Sequence, residues 1–513
     1  MNTKNSKILN LNIVIQHQDS LQENFTHNPK PLTHNHMKKP IRSSSGVVVV
    51  TTFTKPYPCP GKCIFCPSIS NVPKSYIPSE PACARANTLK YNPYTQISKR
   101  IEVLKNNGHN TDKIEIIISG GTFSYYPRRY ILFFFARTFE ALNNINPNPR
   151  LYQKSTNDLL EYLEKLQKQN ENSEHKSVGI SVETRPDYIT TDFAIFLRQL
   201  GVTKVQIGVQ SMFNDILDIN GRAHTVKQSI ESVKLLRQFG FKIQIHYMLN
   251  LFQSTPSKDI EGFKDLINEI APDELKIYPT SIITNTKLCN LYSQKKYSPY
   301  TTTQLIETIS QIKQIVPQYC RISRVFRDIP STEIVAGNDK TNLREMIWKY
   351  MSSQNLKCNC IRCREIRKNQ ITNKIEYSII KYKVQNSNEY FIQATTETIN
   401  RKNCILGFLR LSIIDRRKPI EDSSKNSILE LPEFLKNRAM IREIHVYGNS
   451  EKIGHIGTVQ HTGIGKQLIK MAIEITKSNN FSKIFVISAV GTREYYRKLG
   501  FRRDKMGYLA KLV

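Results

Sequence analysis

Between residues 47 and 278 the chain repeats one pattern, a short β-branched run followed by apolar residues at helical spacing. The strand-like runs are 47–53, 114–119, 178–182, 204–209, 242–248 and 274–278, and helical stretches at 95–106, 192–200, 226–239 and 258–269 fall between them. A crossover helix carries the chain back along the strand it has left, so the next strand lies parallel to the first. The pattern therefore predicts an α/β fold with a parallel sheet, open or closed into a barrel. Its reactive face would lie at the strand C-termini.

After Asp328-Ile329-Pro330 the pattern changes. A helix is predicted around 343–352, and then strands come first, at 377–384, 390–394, 405–413 and 440–447. A glycine turn, a helix at 465–477, a strand at 483–488 and a short helix before Gly500 follow, which is an α+β module of another kind. A chain of 513 residues exceeds what one hydrophobic core usually supports. The expected division is a basic N-terminal arm (1–40), a parallel α/β domain (41–335), a cysteine-rich linker (336–375) and an α+β domain (376–513). The arm holds His17, His27, His34 and His36 with little periodicity, and reads equally as a flexible basic contact or a disordered leader.

Lys and Arg number 74 against 43 Asp and Glu, a net charge of +31 that favours a polyanionic partner. Charge alone does not choose between RNA, DNA and an anionic membrane. The first apolar stretch, 8–15, is broken by Asn10 and Asn12, and the run 130–135 is too short to span a bilayer. The expectation is a cytoplasmic protein with no membrane partner. Of ten cysteines, Cys83, Cys289, Cys320 and Cys404 stand singly and the rest form two tight groups. That grouping points to metal or cluster ligation in a reducing compartment, not to a disulfide framework.

Cys59, Cys63 and Cys66 form C-x3-C-x2-C directly after the first strand. Three thiolates so spaced can hold three irons of a [4Fe-4S] cluster and leave the fourth iron open, as reductive cleavage of S-adenosylmethionine (SAM) requires. A zinc site would want a fourth ligand, and the next cysteine is distant Cys83. Gly120 and Gly121 end the next strand, where backbone can approach the SAM amino group. Glu183 and Arg185 leave a further strand as candidates for the ribose and carboxylate of SAM, and Gln210 leaves the one after.

Cys358, Cys360 and Cys363 form C-x-C-x2-C, spaced for a structural zinc whose fourth ligand is unassigned, or else free thiols of a surface loop. Near the C-terminus, Gln460, His461, Thr462, Gly463, Ile464, Gly465 and Lys466 make a Q-x-x-G-x-G turn opening an amphipathic helix. Its free N–H groups and helix dipole suit the pyrophosphate of coenzyme A, as in GNAT-type acetyltransferases. Tyr495 and Tyr496 are candidates to face the thioester, with one of the pair expected to be a packing residue.

Together these segments resemble the catalytic subunit of Elongator in its archaeal or stand-alone form, from about Ile41 to the C-terminus. The resemblance rests on C-P-G-K-C-I-F-C (59–66), K-Y-N-P-Y (90–94), G-G-T-F (120–123), V-E-T-R-P-D-Y (182–188) and I-G-V-Q-S (207–211). It continues through L-K-I-Y-P-T (275–280), C-N-C-I-R-C-R-E (358–365), I-R-E-I-H-V-Y-G (441–448) and G-T-R-E-Y-Y-R-K-L-G-F (491–501). It implies a radical SAM domain built as a partial TIM-type barrel, followed by a GNAT-type acetyltransferase domain. The implied activity is 5-carboxymethylation of the tRNA wobble uridine from SAM and acetyl-CoA. Carried over by residue, Cys59, Cys63 and Cys66 hold the cluster, Lys276 lies by the radical site, Gln460, Gly463 and Gly465 bind coenzyme A, and Tyr495 and Tyr496 lie near the thioester. The implied partners are tRNA, acetyl-CoA, an electron donor and other Elongator-like subunits. The competing readings are a protein lysine acetyltransferase with a structural iron–sulfur cluster and a basic RNA-binding scaffold without catalysis.

Overall fold

The computed structural model describes residues 43, 45–367, 374–398, 401–414, 431–448 and 463–513. The expected arm, 1–40, lies outside the described residues. Nine strands come from the first part of the chain: β1 (Val48–Phe53), β2 (Lys113–Ser119), β3 (Lys176–Thr184), β4 (Lys204–Gln210), β5 (Lys242–Leu249), β6 (Glu274–Pro279), β7 (Ser281–Ile283), β8 (Arg321–Arg324) and β9 (Ile334–Gly337). Seven of them form one parallel sheet in the order β1-β2-β3-β4-β5-β6-β8, with β1 and β8 as free edges of a half-barrel, and β7 pairs with β9 as a separate ribbon.

The strands obey the period of two, with an unusual consequence. Along β2, Ile114, Ile116 and Ile118 are fully buried in the apolar core, whereas Glu115, Ile117 and Ser119 line the barrel interior. Gln244 and His246 of β5, and Glu274, Lys276 and Tyr278 of β6, face the same interior. The lumen is therefore polar. Helices begin where the sequence supplies oxygen caps, as at Ser155, Thr225 and Thr301, each completing a capping box. The aromatic run near 130 belongs to a buried helix, Arg128–Leu142, which sequence periodicity alone did not delimit.

The second part contributes β10 (Glu376–Val384), β11 (Ser387–Thr398), β12 (Arg401–Ile414), β13 (Ala439–Val446), β14 (Lys483–Val486), β15 (Arg502–Arg503) and β16 (Leu509–Leu512). They form a mixed sheet in the order β10-β11-β12-β13-β14-β16-β15, and the helix Ile464–Ser478 packs on its centre. β13 and β14 run parallel but pair only from Ala439 to Ile441, after which they part and leave a wedge.

This sheet docks on the N-terminal ends of the barrel strands. Arg442 donates to both oxygens of Asp273 (2.7 and 2.8 Å) and to the Phe241 carbonyl (2.9 Å). Lys242 joins Glu274 (2.7 Å) to Glu443 (2.6 Å), and Tyr508 donates to the Phe239 carbonyl (2.6 Å). One apolar core runs through both parts. Among the described residues, no helix is long and apolar enough to cross a membrane.

Candidate active site

A cavity of about 680 Å³ occupies the barrel lumen and opens at the strand C-termini. Cys59, Cys63, Cys66, Gly121, Glu183, Arg185, Gln210 and Lys276 all line it. The cysteine loop follows β1 and is braced from the far side, with Ile64 N donating to the Asn220 carbonyl (3.1 Å). Arg222 Nη1 points at Cys63 Sγ (3.4 Å). The Cys66 hydrogen bond, aided by the Arg222 and Arg185 guanidinia, brings the Cys63 thiol down to about 5 despite burial. Cys66 is pushed up by its hydrogen bond to Cys63 and by burial, so of the two thiols Cys63 gives up its proton first.

Gly120 (φ +133) and Gly121 (φ +99) turn the chain off β2 in backbone conformations that side chains resist. A Cβ on Gly120 would run into the Thr54 hydroxyl, so the turn sits tight on β1 and Gly121 is left facing the cavity. Arg185 is held bidentately by Asp187 (2.9 and 2.8 Å), with Nη1 turned toward Gly61. Arg185 Nη1, Arg222 Nε and Gln210 Oε1 are buried without a hydrogen-bond partner, polar atoms that suit a charged ligand. This donor set fits an anionic cluster carrying a zwitterionic ligand.

Glu183 lies deeper than the sequence suggests. It accepts from Tyr76 (3.2 Å) and faces His246 Nδ1 (3.5 Å). Gln206 Oε1 receives Lys276 (2.6 Å) and lies 3.1 Å from His246 Nε2. Burial brings the Lys276 ammonium down to about 8, against the pull of Glu183, and keeps His246 neutral. Sequence reading missed Arg222, His246, Gln206 and Tyr76. Gln206 and His246 carried one available signal, being polar residues at alternate positions of runs that otherwise read as buried strands.

The second cysteine group lies away from this cavity. The Sγ atoms of Cys358, Cys360 and Cys363 lie within 4.8 Å of one another, and among the described residues no fourth ligand joins them. The segment ties the two parts together, since Arg364 donates to the Gln318 carbonyl (2.8 Å) and to Gln393 (2.9 Å).

Gln460, His461 and Thr462 lie outside the described residues. Gly463 (φ +92) has open space where a Cβ would project, Ile464 is buried, and the helix runs on through Gly465 and Lys466. A Cβ on Gly465 would meet the Tyr495 hydroxyl at 2.8 Å, so turn and tyrosine are adjacent. Tyr495 is 39% exposed, whereas Tyr496 is 4% exposed and packs edge-on against Phe501. Tyr496 still lines a small cavity in the wedge between β13 and β14.

Comparison with known proteins agrees with this architecture. The model of the Radical SAM superfamily matches residues 57–267, and that of the Radical_SAM C-terminal domain matches 272–353. The tRNA uridine(34) acetyltransferase of Methanocaldococcus jannaschii is 37% identical over 91% of this chain and 84% of its own length. That of Dehalococcoides mccartyi is 34% identical over 93% and 99%, and human Elongator complex protein 3 is 34% identical over 93% and 86%. The solved structure of Methanocaldococcus infernus Elp3 lacking residues 1–46 superposes with a TM-score of 0.75 at 33% identity, covering 91% of this chain and all of that one. With a cysteine-loop half-barrel joined to a wedge-bearing mixed sheet, and with relatives matched nearly end to end, the chain is a radical SAM enzyme and belongs to the Elongator protein 3 family of tRNA uridine(34) acetyltransferases.

Proposed function

We propose that this chain installs a carboxymethyl group on carbon five of a tRNA wobble uridine, drawing the two carbons from acetyl-CoA. The carrying observation is the convergence of the three cysteines with Glu183, Arg185, Gln210 and Lys276 on one polar lumen. The base of that lumen meets a sheet bearing a glycine turn and an adjacent tyrosine hydroxyl. Bound together, a [4Fe-4S] cluster and SAM supply a carbon-centred radical able to take hydrogen from an unactivated methyl group.

The chain's own residues position and protect. Cys59, Cys63 and Cys66 would hold the cluster, with Arg222 balancing the charge of the thiolates. Gly121, Arg185 and Gln210 would take the amino and carboxylate groups of SAM. Lys276, hydrogen-bonded to Gln206, is a proton-bearing group beside the radical site. Gly463 and Gly465, with Gln460, His461, Thr462, Ile464 and Lys466, would hold the pyrophosphate of coenzyme A, and Tyr495 would place its hydroxyl at the departing thiol. Cys358, Cys360 and Cys363 would hold a zinc that fixes the linker between domains spanning 41–335 and 376–513. An electron donor and other Elongator-like subunits are further proposed partners.

The decisive experiment is mass spectrometry of tRNA nucleosides after anaerobic incubation of the reconstituted chain with tRNA, SAM, acetyl-CoA and reductant. Carboxymethyluridine is expected at the wobble position. Acetylated protein lysines with unchanged nucleosides would overturn this reading in favour of a protein acetyltransferase.

A further inference from the structure

Acetyl-CoA would bind in the wedge of the mixed sheet, yet the cysteine loop lies at the opposite end of the barrel strands. β2 and β4 each hold seven residues, so the two ends are separated by roughly 20 Å at about 3.3 Å per residue. The acyl carbon must cover that span. The wedge does not open only to solvent. Its cavity, about 140 Å³, is lined by Ile444, His445 and Tyr496 on one side and by Gly179 and Thr203 at the barrel base on the other.

Two residues line both this cavity and the lumen, Glu115 of β2 and Lys204 of β4. Their side chains form an ion pair across the barrel floor. We propose that the Glu115–Lys204 pair is a gate, and that the acyl end of a thioester passes through it from the wedge into the lumen. The inference rests on the acetyl-CoA reading above.

The pair is built to exchange partners. Lys204 Nζ also lies 3.7 Å from Glu274 Oε2, so when Glu115 swings away the ammonium keeps an acceptor and no buried charge is stranded. Glu274 is itself anchored through its other oxygen to Lys242 (2.7 Å). Glu115 is the looser member, with 26% of its side chain exposed against 10% for Lys204. The neighbouring Arg442–Asp273 pair contrasts with it: both side chains are wholly buried and doubly bonded, so that pair is fixed. Gly179 completes the device. A Cβ there would touch Glu115 Cγ at 3.4 Å, so a branched side chain at 179 would fill the space beside Glu115 and narrow the passage.

Chloroacetyl-CoA tests the passage in the full chain without its cluster. A thiolate displaces chloride from the chloroacetyl carbon, forming a thioether that peptide mass spectrometry locates. Thr203→Cys reports on the wedge side and Ile117→Cys on the lumen side. Both reporters should be labelled, and excess CoA should suppress both. Adding Gly179→Val should lower labelling at 117 at least tenfold while labelling at 203 persists, and Lys204→Met should raise labelling at 117. Melting temperatures would confirm that the variants fold. Labelling at 203 but not at 117, or labelling at 117 that is indifferent to Gly179→Val, overturns the gate. If neither position is labelled, the acetyl-CoA reading itself fails and the gate falls with it.

Discussion

Lys276 is the residue whose environment speaks most directly to chemistry. Half-buried on the lumen wall, its ammonium is brought down to about 8 by desolvation, with Gln206 as its hydrogen-bond acceptor. If it supplies a proton beside the radical site, product formation should fall as pH rises through about 8, because the group is charged only below that value. Lys276→Arg should move this limb upward, and Lys276→Met should abolish it with a loss of roughly 100-fold or more in rate. A kcat profile spanning a unit or more on either side of that value checks this. The cysteines answer a simpler measurement. The Cys59/Cys63/Cys66 triple alanine variant should lose the paramagnetic signal of the reduced cluster while keeping any zinc at Cys358, Cys360 and Cys363. An unchanged signal would refute the ligand assignment.

At the scale of elements, the glycine turn and the docking seam make separable predictions. In Gly465→Val the new Cβ would stand only 2.8 Å from the Tyr495 hydroxyl, at the turn expected to meet pyrophosphate. CoA affinity should fall at least tenfold by calorimetry, with tRNA affinity unchanged. In the seam, burial alone would raise the Asp273 carboxyl, but Arg442 and Arg410 hold it well below the usual carboxylate range. Asp273 therefore contributes stability that is complete above roughly pH 4, the unfolded value, and fades as pH falls below it. Asp273→Asn should cost about 3–5 kcal/mol near neutrality by leaving Arg442 under-paired. Urea melts at neutral and acid pH should show the gap between variant and wild type closing as pH drops.

For the whole molecule, the net charge of +31 and the joined domains bear on tRNA. Affinity for tRNA should fall steeply with salt as counterions are released. Deleting residues 1–40 should lower both the affinity and the salt slope, and unchanged values would remove the arm from the interface. Hydrolysis of acetyl-CoA should be slow until tRNA is bound, with free CoA as the readout. Equal release with and without tRNA would argue against coupling between the two ends of the barrel.

Periodicity and spacing determined much of this protein by themselves. The alternation of strands and helices dictated the parallel sheet, since a crossover leaves no other direction for the next strand. C-x3-C-x2-C is a local signal and follows β1 as the sequence places it, and of the glycine turn Gly463 stands at the start of the helix Ile464–Ser478. What lies between strands was not legible. Glu115, Lys204, Gln206, His246 and Glu274 are far apart in the chain, and each alone reads as an ordinary polar residue in a strand. Only the curl of the sheet into a half-barrel turns them to one interior, because the period of two sets which face a side chain takes but not what that face encloses. Docking of the second sheet on the strand N-termini, through Asp273, Arg442, Lys242 and Glu443, was likewise decided by tertiary structure alone, because ion pairs between distant segments have no local pattern.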